Sequence, residues 1–298
     1  MNSFMEYFYN IHSDDIIYND KYYTFMYEGY IYRLYIVDEN INTNFLINLD
    51  KRLLGHTLIN EIIVNRNNEI ISNYNNKQYM LMKIYVNVDK KIMLEEISYF
   101  ANSLTIKNLK INWGILWSRK IDYLEKLINE NGKKYPIITD SFNYFVGMAE
   151  NAISYYNNNV INDNYIYVIS HKKIRFNDTI EAIYNPLNII FDYRVRDIAE
   201  YIKNAFFTNN KNIFNEINAY IRNNFLSQMD VNLLVARLLY PSFYFELYED
   251  ILIDNHDEKI IIEIVDRLND YEKYLSNVIK YFSKWYWVER INWLNNYK

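Results

Sequence analysis

The hydrophobic pattern of this chain changes its period once, near residue 90, and this change limits the fold more than any other feature. Before it, aromatic and apolar residues form short runs typical of strands; after it, apolar residues recur every third or fourth position, as on one face of a helix. A chain of 298 residues is long enough for two lobes. We therefore expect an α+β fold with a small β-rich domain at 1–87 and a larger, mainly helical domain at 88–298.

The first region is predicted to contain two pairs of strands around one short helix. A hairpin is expected between strands at 22–27 and 30–38, with its turn at Glu28-Gly29. Further strands are expected at 57–65 and 78–86, with a short one at 69–72. Helical spacing marks the short helix, through Phe45, Leu46, Leu49 and Leu53.

The second region is predicted to be helical around one strand-loop-strand segment. Its strands are expected at 165–170 and 188–192, with a polar stretch at 171–179. Asn131-Gly132 is expected to end the helix that begins near Trp113, and Asp140 or Ser141 to cap a helix at 141–156. The remaining predicted helices lie at 197–207, 212–223, 231–239, 242–253, 258–285 and 291–294.

Composition and charge exclude several classes of function. The chain has no cysteine, which excludes disulfides, thiolate nucleophiles and cysteine-ligated zinc. Its net charge is −5 with acids and bases interspersed, so we expect no nucleic-acid partner. No apolar run reaches the roughly 18 residues that indicate a transmembrane helix, and residues 1–12 do not resemble a leader segment. We expect a cytoplasmic protein without a transmembrane segment.

Three stretches of the second region resemble one family. They are ITDSFNYFVGMAENAISYY at 138–156, a segment that runs from His171 through Asn185-Pro186 to FDYRVRDIAEYI at 191–202, and ARLLYPSFYF at 236–245. Together they resemble the YutH/CotS-type spore-coat putative kinase family of the aminoglycoside-phosphotransferase and protein-kinase-like superfamily. The resemblance implies a two-lobed kinase-like fold and an association with sporulation and the spore coat.

The resemblance also places a catalytic loop at His171. In active phosphotransferases this loop reads His-Gly-Asp, with an asparagine five residues after the aspartate. Here Lys172 stands at the glycine position, Lys173 at the aspartate position and Asp178 at the asparagine position. A protonated lysine, with a reference pKa of about 10.4, cannot accept a proton from a hydroxyl group. The loop is therefore interpreted as degenerate; the alternative is an offset loop in which Asp178 supplies the carboxylate.

Two further aspartates correspond to family positions. Asp192 aligns with the carboxylate that binds Mg²⁺ in active relatives, and oxygen ligands suit that ion. The alternative is that Asp192 caps a turn or pairs with Arg194 or Arg196. Asp197 resembles the buried aspartate that tethers the catalytic loop, and it stands where an N-cap is expected, so its predicted role is structural.

The nucleotide-binding features of the superfamily are sparse in the first region. A phosphate-binding loop needs several glycines, but only Gly29 occurs in the hairpin. Arg33 is the only cation in the strand where a phosphate-pairing lysine is expected, and Lys83 is expected to be solvated rather than catalytic. The resemblance implies ATP and Mg²⁺ as possible cofactors, but the residues of the first region do not by themselves indicate a site for either.

We interpret the chain as a kinase-fold pseudoenzyme that acts as a binding or scaffold protein with an unknown protein partner. Trp285, Trp287 and Trp293 form either a surface for that partner or the packing of the last helix. Two other functions stay open. One is an active ATP-dependent small-molecule phosphotransferase with rearranged catalytic residues; the other is a purely structural coat component whose cleft is filled by side chains such as Tyr35.

Overall fold

The computed structural model describes residues 1–19, 22–53, 59–86, 89–160, 165–174, 178–254 and 256–296. The chain divides into two compact units, and both are discontinuous in sequence. Unit 1 consists of Met1–Met93, His171–Lys173 and Asp178–Ile190. Unit 2 consists of Leu94–Ser170, Ile174–Asn177 and Phe191–Lys298. The domain boundary between residues 87 and 88 stays a prediction.

Unit 1 is built on a six-stranded antiparallel sheet. Its elements are α1 (Asn2–Tyr9), β1 (Ile17–Asn19), β2 (Tyr22–Tyr27), β3 (Tyr30–Val37), α2 (Thr43–Arg52), β4 (Glu61–Ile63), β5 (Ser72–Tyr74) and β6 (Lys77–Ile84). The strand order is β1-β2-β3-β6-β4, and β5 also pairs with β6. The central strands are therefore β3 and β6.

The predicted hairpin at Glu28-Gly29 is confirmed. Tyr27 pairs with Tyr30 at the end of β2 and β3, so two residues form the turn. Their φ angles are 48° for Glu28 and 78° for Gly29. Two successive positive φ angles give the turn whose twist matches that of the flanking strands, and glycine adopts this conformation without a steric cost.

Hydrophobic clusters cover both faces of the sheet. Phe4 of α1 packs in a cluster with Leu34 and Leu81, whereas Leu46 of α2 packs in a cluster with Met80. Leu81 and Met80 are neighbours in β6, and successive side chains of a strand point to opposite faces. The predicted short helix is thus confirmed as α2, while α1 was not predicted.

Two strand predictions in unit 1 need correction. The strand predicted at 57–65 is limited to Glu61–Ile63 in β4, and residues 57–58 lie outside the described residues. The strand predicted at 69–72 is wrong, because β5 occupies Ser72–Tyr74. The physical reason is the turn that follows: Asn75 and Asn76 have φ angles of 48° and 58°. Asparagine tolerates this left-handed conformation, and the two-residue turn pairs Tyr74 with Lys77.

Unit 2 is mainly helical. Its elements are α3 (Leu94–Ala101), β7 (Thr105–Ile106), α4 (Trp113–Asn131), α5 (Pro136–Asn159), β8 (Tyr167–His171), β9 (Ile189–Asp192), α6 (Arg196–Phe207), α7 (Ile213–Asn223), α8 (Gln228–Leu239), α9 (Ser242–Asp254), α10 (Ile260–Asp266) and α11 (Leu268–Phe282). A three-stranded sheet has the order β7-β8-β9. None of the helices searched across the described parts of the chain has the length and apolarity that a membrane crossing requires.

The predicted start of α5 is wrong. The helix begins at Pro136 rather than at 141, and neither Asp140 nor Ser141 caps it. Proline suits the first position of a helix because its missing N–H needs no partner there. The Glu258 carboxylate accepts hydrogen bonds from two backbone N–H groups of the first turn, at 3.0 and 3.3 Å. A side chain more than 100 residues away in the sequence therefore caps this helix.

The single helix predicted at 258–285 is two helices. α10 ends at Asp266 and α11 begins at Leu268, so the break lies at Arg267. The Arg267 guanidinium donates to the backbone oxygen of Phe206 at 3.2 Å and lies 4.4 Å from the centre of that ring. These contacts with α6 accompany the break, which the periodic pattern of the sequence does not show.

Candidate functional site

The loop predicted to be catalytic begins where β8 ends. His171 is the last residue of that strand and is buried. Its Nε2 lies 2.9 Å from the backbone oxygen of Ile183. Because a carbonyl oxygen only accepts, Nε2 must carry the proton in this contact. His171 therefore holds the start of the loop against the segment that follows it within unit 1.

The backbone at Lys173 is fixed by one asparagine. Asn188 Oδ1 accepts from the Lys173 N–H at 3.1 Å, and Asn188 Nδ2 donates to the Lys173 oxygen at 2.9 Å. The Lys172 N–H donates to the Asn188 oxygen at 2.7 Å, and Asn188 Nδ2 also bonds to the oxygen of Ala182 at 3.1 Å. The two lysines are therefore held in a defined position directly after β8.

Asp178, the alternative carboxylate, lies on the far side of residues 175–177, which are outside the described part of the chain. It is half-buried and precedes Thr179, which forms a β-bridge with Lys91. The N–H of Ile180 donates to the Lys90 oxygen at 2.7 Å. Asp178 thus leads into a segment attached to unit 1, and its role as a catalytic carboxylate stays a prediction.

Arg33 lies in an ion pair within unit 1. Its Nη1 donates to Glu181 Oε2, and its guanidinium lies 4.4 Å from the centre of the Tyr22 ring. Two further groups donate to Glu181 Oε1: the Tyr35 hydroxyl at 2.9 Å and Asn60 Nδ2 at 3.1 Å. Burial, followed by the Glu181 charge, raises the pKa of Tyr35, which keeps its hydroxyl protonated as a donor. Glu181 therefore binds three donors and neutralises Arg33.

Lys83 lies on the opposite face of the sheet from Arg33. Lys83 pairs with Tyr32 across β3 and β6, and cross-strand partners share a face, whereas Arg33 follows Tyr32 and points to the other face. The Lys83 ammonium lies 3.5 Å from the centre of the Tyr30 ring and 5.2 Å from that of Tyr85. The structure does not bring the two predicted nucleotide-binding cations together.

Asp192 ends β9 with both carboxylate oxygens in hydrogen bonds. Oδ1 accepts from Trp113 Nε1 at 3.0 Å and from the Tyr193 N–H at 2.7 Å. Oδ2 accepts from Arg196 Nη1 at 2.7 Å, an ion pair between residues four apart. Asp192 is only 3% exposed. Of the two expectations for Asp192, the structure contains the pairing, and Arg196 rather than Arg194 is the partner.

These residues, as arranged, do not fit a magnesium ion. Among the residues that the structure describes, no group of three or more histidine, cysteine, aspartate or glutamate side chains could hold a metal ion. The groups that face the Asp192 oxygens are N–H donors, whereas Mg²⁺ requires oxygen ligands. The role of Asp192 as a metal ligand stays a prediction.

Asp197 lies inside α6 rather than at its N-cap. The helix begins at Arg196 and its N-cap residue is Val195, so the predicted capping position is wrong by two residues. Asp197 is buried in the first turn, where a negative charge interacts favourably with the helix dipole. Its structural role in tethering the loop stays a prediction.

The sequence analysis missed a buried charge cluster in unit 2. Glu200 Oε1 accepts from Lys203 Nζ at 3.0 Å and from Arg237 Nε at 2.6 Å, and Glu200 Oε2 accepts from the Ser242 hydroxyl at 2.6 Å. Lys203 also donates to the oxygen of Tyr240 at 2.9 Å and to Ser242 Oγ at 2.6 Å. The sequence signal was weak, because Glu200 and Lys203 stand among other charged residues of α6 and only Arg237 interrupts an apolar run.

Charge decides the protonation of this cluster. Burial alone would raise the pKa of Glu200, but Lys203 and then Arg237 outweigh it and lower that pKa to about 2. Burial lowers the pKa of Lys203 to about 8, against the attraction of Glu200. Arg237 also lies 5.2 Å from the Trp113 ring, which donates to Asp192. The cluster therefore adjoins the residues around Asp192.

Sequence comparison identifies one matching family. The model of the family described as "Spore coat putative kinase YutH" matches residues 2–282. The endospore coat-associated protein YutH of Bacillus subtilis (strain 168) is 28% identical over 207 residues, which is 61% of this chain and 61% of that protein. The match therefore spans 61% of the length of this curated relative.

Solved structures share the fold at low identity. An aminoglycoside phosphotransferase from Alicyclobacillus acidocaldarius superimposes with a TM-score of 0.60 at 10% identity, over 91% of this chain and 92% of that one. Spectinomycin phosphotransferase APH(9)-Ia, bound to ADP and spectinomycin, gives 0.54 at 11% identity, over 93% and 92%. Amicoumacin kinase hAmiN gives 0.55 at 10% identity, over 92% of each chain. The predicted α+β fold of the aminoglycoside-phosphotransferase type is confirmed.

Proposed function

We propose that this chain, which belongs to the spore coat putative kinase YutH family, acts in the spore coat as a binding or scaffold protein without phosphotransfer. The description of the Bacillus subtilis relative as endospore coat-associated supports the location. The phosphotransferase fold is retained, which supports a binding or scaffold role that uses the folded surface. The loss of its chemistry is inferred from the residues of this chain.

The observation that carries the proposal is the position of Lys173. Phosphoryl transfer depends on positioning and electrostatics, and an aspartate orients the attacking hydroxyl group. Lys173 stands at that position by the family motif, and Asn188 holds its backbone on both the N–H and the carbonyl side. An ammonium group at this point places a positive charge where a proton acceptor is needed. The side chain therefore cannot replace the aspartate.

The ion pair of Arg33 supports the same conclusion. A cation that binds nucleotide phosphates must have its charge available to them. The Arg33 guanidinium is instead bound to Glu181, and that carboxylate also accepts from Tyr35 and Asn60. A nucleotide phosphate would have to displace a buried, threefold hydrogen-bonded carboxylate. We therefore expect Arg33 to contribute no nucleotide affinity.

Exposed aromatic side chains support a binding role. Trp285 and Trp287 follow α11, and each is 64% exposed. Of the two expectations for this segment, exposure favours a surface over packing for these two residues, because large aromatic side chains dominate the energetics of protein interfaces. The identity of the partner is open, and the proposal requires only that it bind the protein rather than accept phosphate from it.

A phosphotransfer assay tests the proposal. The full chain is incubated with Mg²⁺ and ATP labelled on the γ-phosphate, with aminoglycosides, other hydroxylated small molecules and proteins as acceptors. We expect no transfer above the protein-free blank, while an active aminoglycoside phosphotransferase assayed alongside shows that the conditions suffice. Turnover that disappears in Asp178→Asn or Asp192→Asn would instead establish the active-enzyme alternative and identify its carboxylate.

Nucleotide binding gives a second, cheaper test. A ligand at about 100 times its Kd stabilises the folded state by about 2.7 kcal/mol, which a thermal unfolding curve detects easily. We expect no Mg²⁺-dependent shift with ATP. The matched comparison uses Glu181→Gln, which removes the charge that neutralises Arg33. A thermal shift in the wild-type chain that equals or exceeds the shift in Glu181→Gln would contradict the conclusion that Glu181 keeps Arg33 from binding nucleotide phosphates.

A further inference from the structure

The Asp192 carboxylate, which the family resemblance aligns with a metal-binding carboxylate, is paired with a cation of its own chain. A carboxylate offers about four lone pairs. At Asp192, three are used by Trp113 Nε1, the Tyr193 N–H and Arg196 Nη1, at 3.0, 2.7 and 2.7 Å. The only charged donor among these three is the Arg196 guanidinium. The charge of the carboxylate is therefore balanced within unit 2.

The backbone holds Arg196 at this distance. Asp192 ends β9 and Arg196 begins α6, so only three residues separate the two regular elements. The Arg196 N–H donates to the Tyr193 oxygen at 2.9 Å, which closes the turn between them. Tyr193 and Val195 inside this turn are fully buried. The packed turn therefore fixes the backbone of Arg196, and the Arg196 side chain, which is 15% exposed, reaches Asp192 from that fixed position.

The other side of the carboxylate is also unfavourable for a metal ion. Trp113 Nε1 is a donor without a lone pair to offer, and the same is true of the Tyr193 N–H. Behind the Trp113 ring, the Arg237 guanidinium lies 5.2 Å from the ring centre. A divalent ion approaching Asp192 would meet donor hydrogens and two guanidinium groups. Of these groups, the Arg196 guanidinium is the one that carries a positive charge in direct contact with the carboxylate.

We infer that Arg196 is the resident cation of Asp192 and that its guanidinium keeps a divalent ion away from this carboxylate. This inference rests on the proposed function, because it names the group that keeps the metal away. It concerns metal binding by the chain alone, without nucleotide. It can therefore fail while the absence of phosphotransfer still holds.

The test measures Mn²⁺ binding to the full chain by the loss of the free-ion signal in electron paramagnetic resonance. A neighbouring charge changes the proton affinity of a carboxylate by roughly 10- to 1,000-fold. We therefore expect Arg196→Gln to bind Mn²⁺ at least about tenfold more tightly than the wild type. The double variant Asp192→Asn with Arg196→Gln should lose this gain, because the carboxylate is then absent.

Two single variants serve as controls. Arg194→Gln removes a guanidinium two residues away that donates to the Phe225 oxygen at 3.2 Å, and we expect no gain of Mn²⁺ binding. Arg196→Lys keeps the positive charge and should also show no gain. A folded Arg196→Gln chain with wild-type Mn²⁺ affinity would overturn the inference, and so would equal gains in the Arg194→Gln control.

The wild-type chain decides the question if Arg196→Gln does not fold. Mn²⁺ binding by the wild type that Asp192→Asn abolishes would overturn the inference, because the carboxylate would then already accept a metal ion. The absence of such binding supports it. Phosphotransfer by the wild type would overturn the proposed function, whatever the Mn²⁺ affinity of the Arg196 variants.

Discussion

Replacing Glu200 by glutamine should strongly destabilise unit 2. The carboxylate contacts both Lys203 and Arg237, and Lys203 is 0% exposed. Glutamine has nearly the same shape but no charge, so the variant leaves two buried cations without this counterion. Removing one partner of a buried ion pair costs about 3–5 kcal/mol, because the remaining charge stays buried. The cost comes from the cations left behind rather than from lost volume.

The pKa of Glu200 gives a second value for the same cost. It falls from 4.5 to about 2, and each unit of pKa corresponds to about 1.4 kcal/mol, which gives about 3 kcal/mol. A carboxyl group whose folded pKa is lowered stabilises the folded state above its unfolded pKa. This contribution is lost as the pH falls from about 4.5 towards 2. Both routes lead to about 3 kcal/mol at neutral pH.

Urea denaturation at pH 7, followed by tryptophan fluorescence and circular dichroism, measures the difference. Glu249→Gln is the matched control, because Glu249 contacts Lys120 at 2.6 Å with the two side chains 23% and 32% exposed. A pair this exposed contributes less than about 1 kcal/mol. Equal costs for the two variants would refute the reasoning. So would a Glu200→Gln cost that does not shrink as the pH is lowered below 4.5.

Further predictions concern individual positions. In urea denaturation, Gly147→Ala should stabilise the chain by up to about 1 kcal/mol, because Gly147 lies inside α5 and a Cβ there meets open space. Gly29→Ala should destabilise it by about 1–2 kcal/mol, because Gly29 has a positive φ of 78° although the space is open. Ser227→Ala should cost about 1 kcal/mol in the same assay, because it removes the hydroxyl that accepts from the Asp230 N–H in the capping box of α8. The pKa of His12 should lie above 6.5 in an NMR titration and fall in Glu6→Gln, since the Glu6 carboxylate accepts from this ring at 2.7 Å.

Local sequence signals predicted those elements whose cause is local. The β2–β3 hairpin followed from Gly29, and α2 from the spacing of Leu46 and Leu49. The turn at Asn75-Asn76 lies in a polar stretch with no glycine, so its left-handed backbone was not predicted. The start of α5 depends on Glu258, which is distant in the sequence. Errors thus occurred where the determining contact is remote or the turn lacks glycine.

The candidate site shows the same division. The Asp192–Arg196 pair was among the expectations, because the two residues lie close together in the sequence. Glu181 was not, because its partner Arg33 lies 148 residues away. Nor was the Glu200–Arg237 contact, which joins α6 and α8 through two residues 37 positions apart. A single sequence contains no information that pairs such residues.

The discontinuity of unit 1 means that no single cut in the polypeptide separates the two units intact. A fragment that ends at Met93 would carry Arg33, Tyr35 and Asn60 without the carboxylate that binds all three. It would also lack Leu187, which packs in the cluster around Leu46. Recombination that exchanges one contiguous segment therefore cannot transfer unit 1 intact, and the two units are expected to be inherited together.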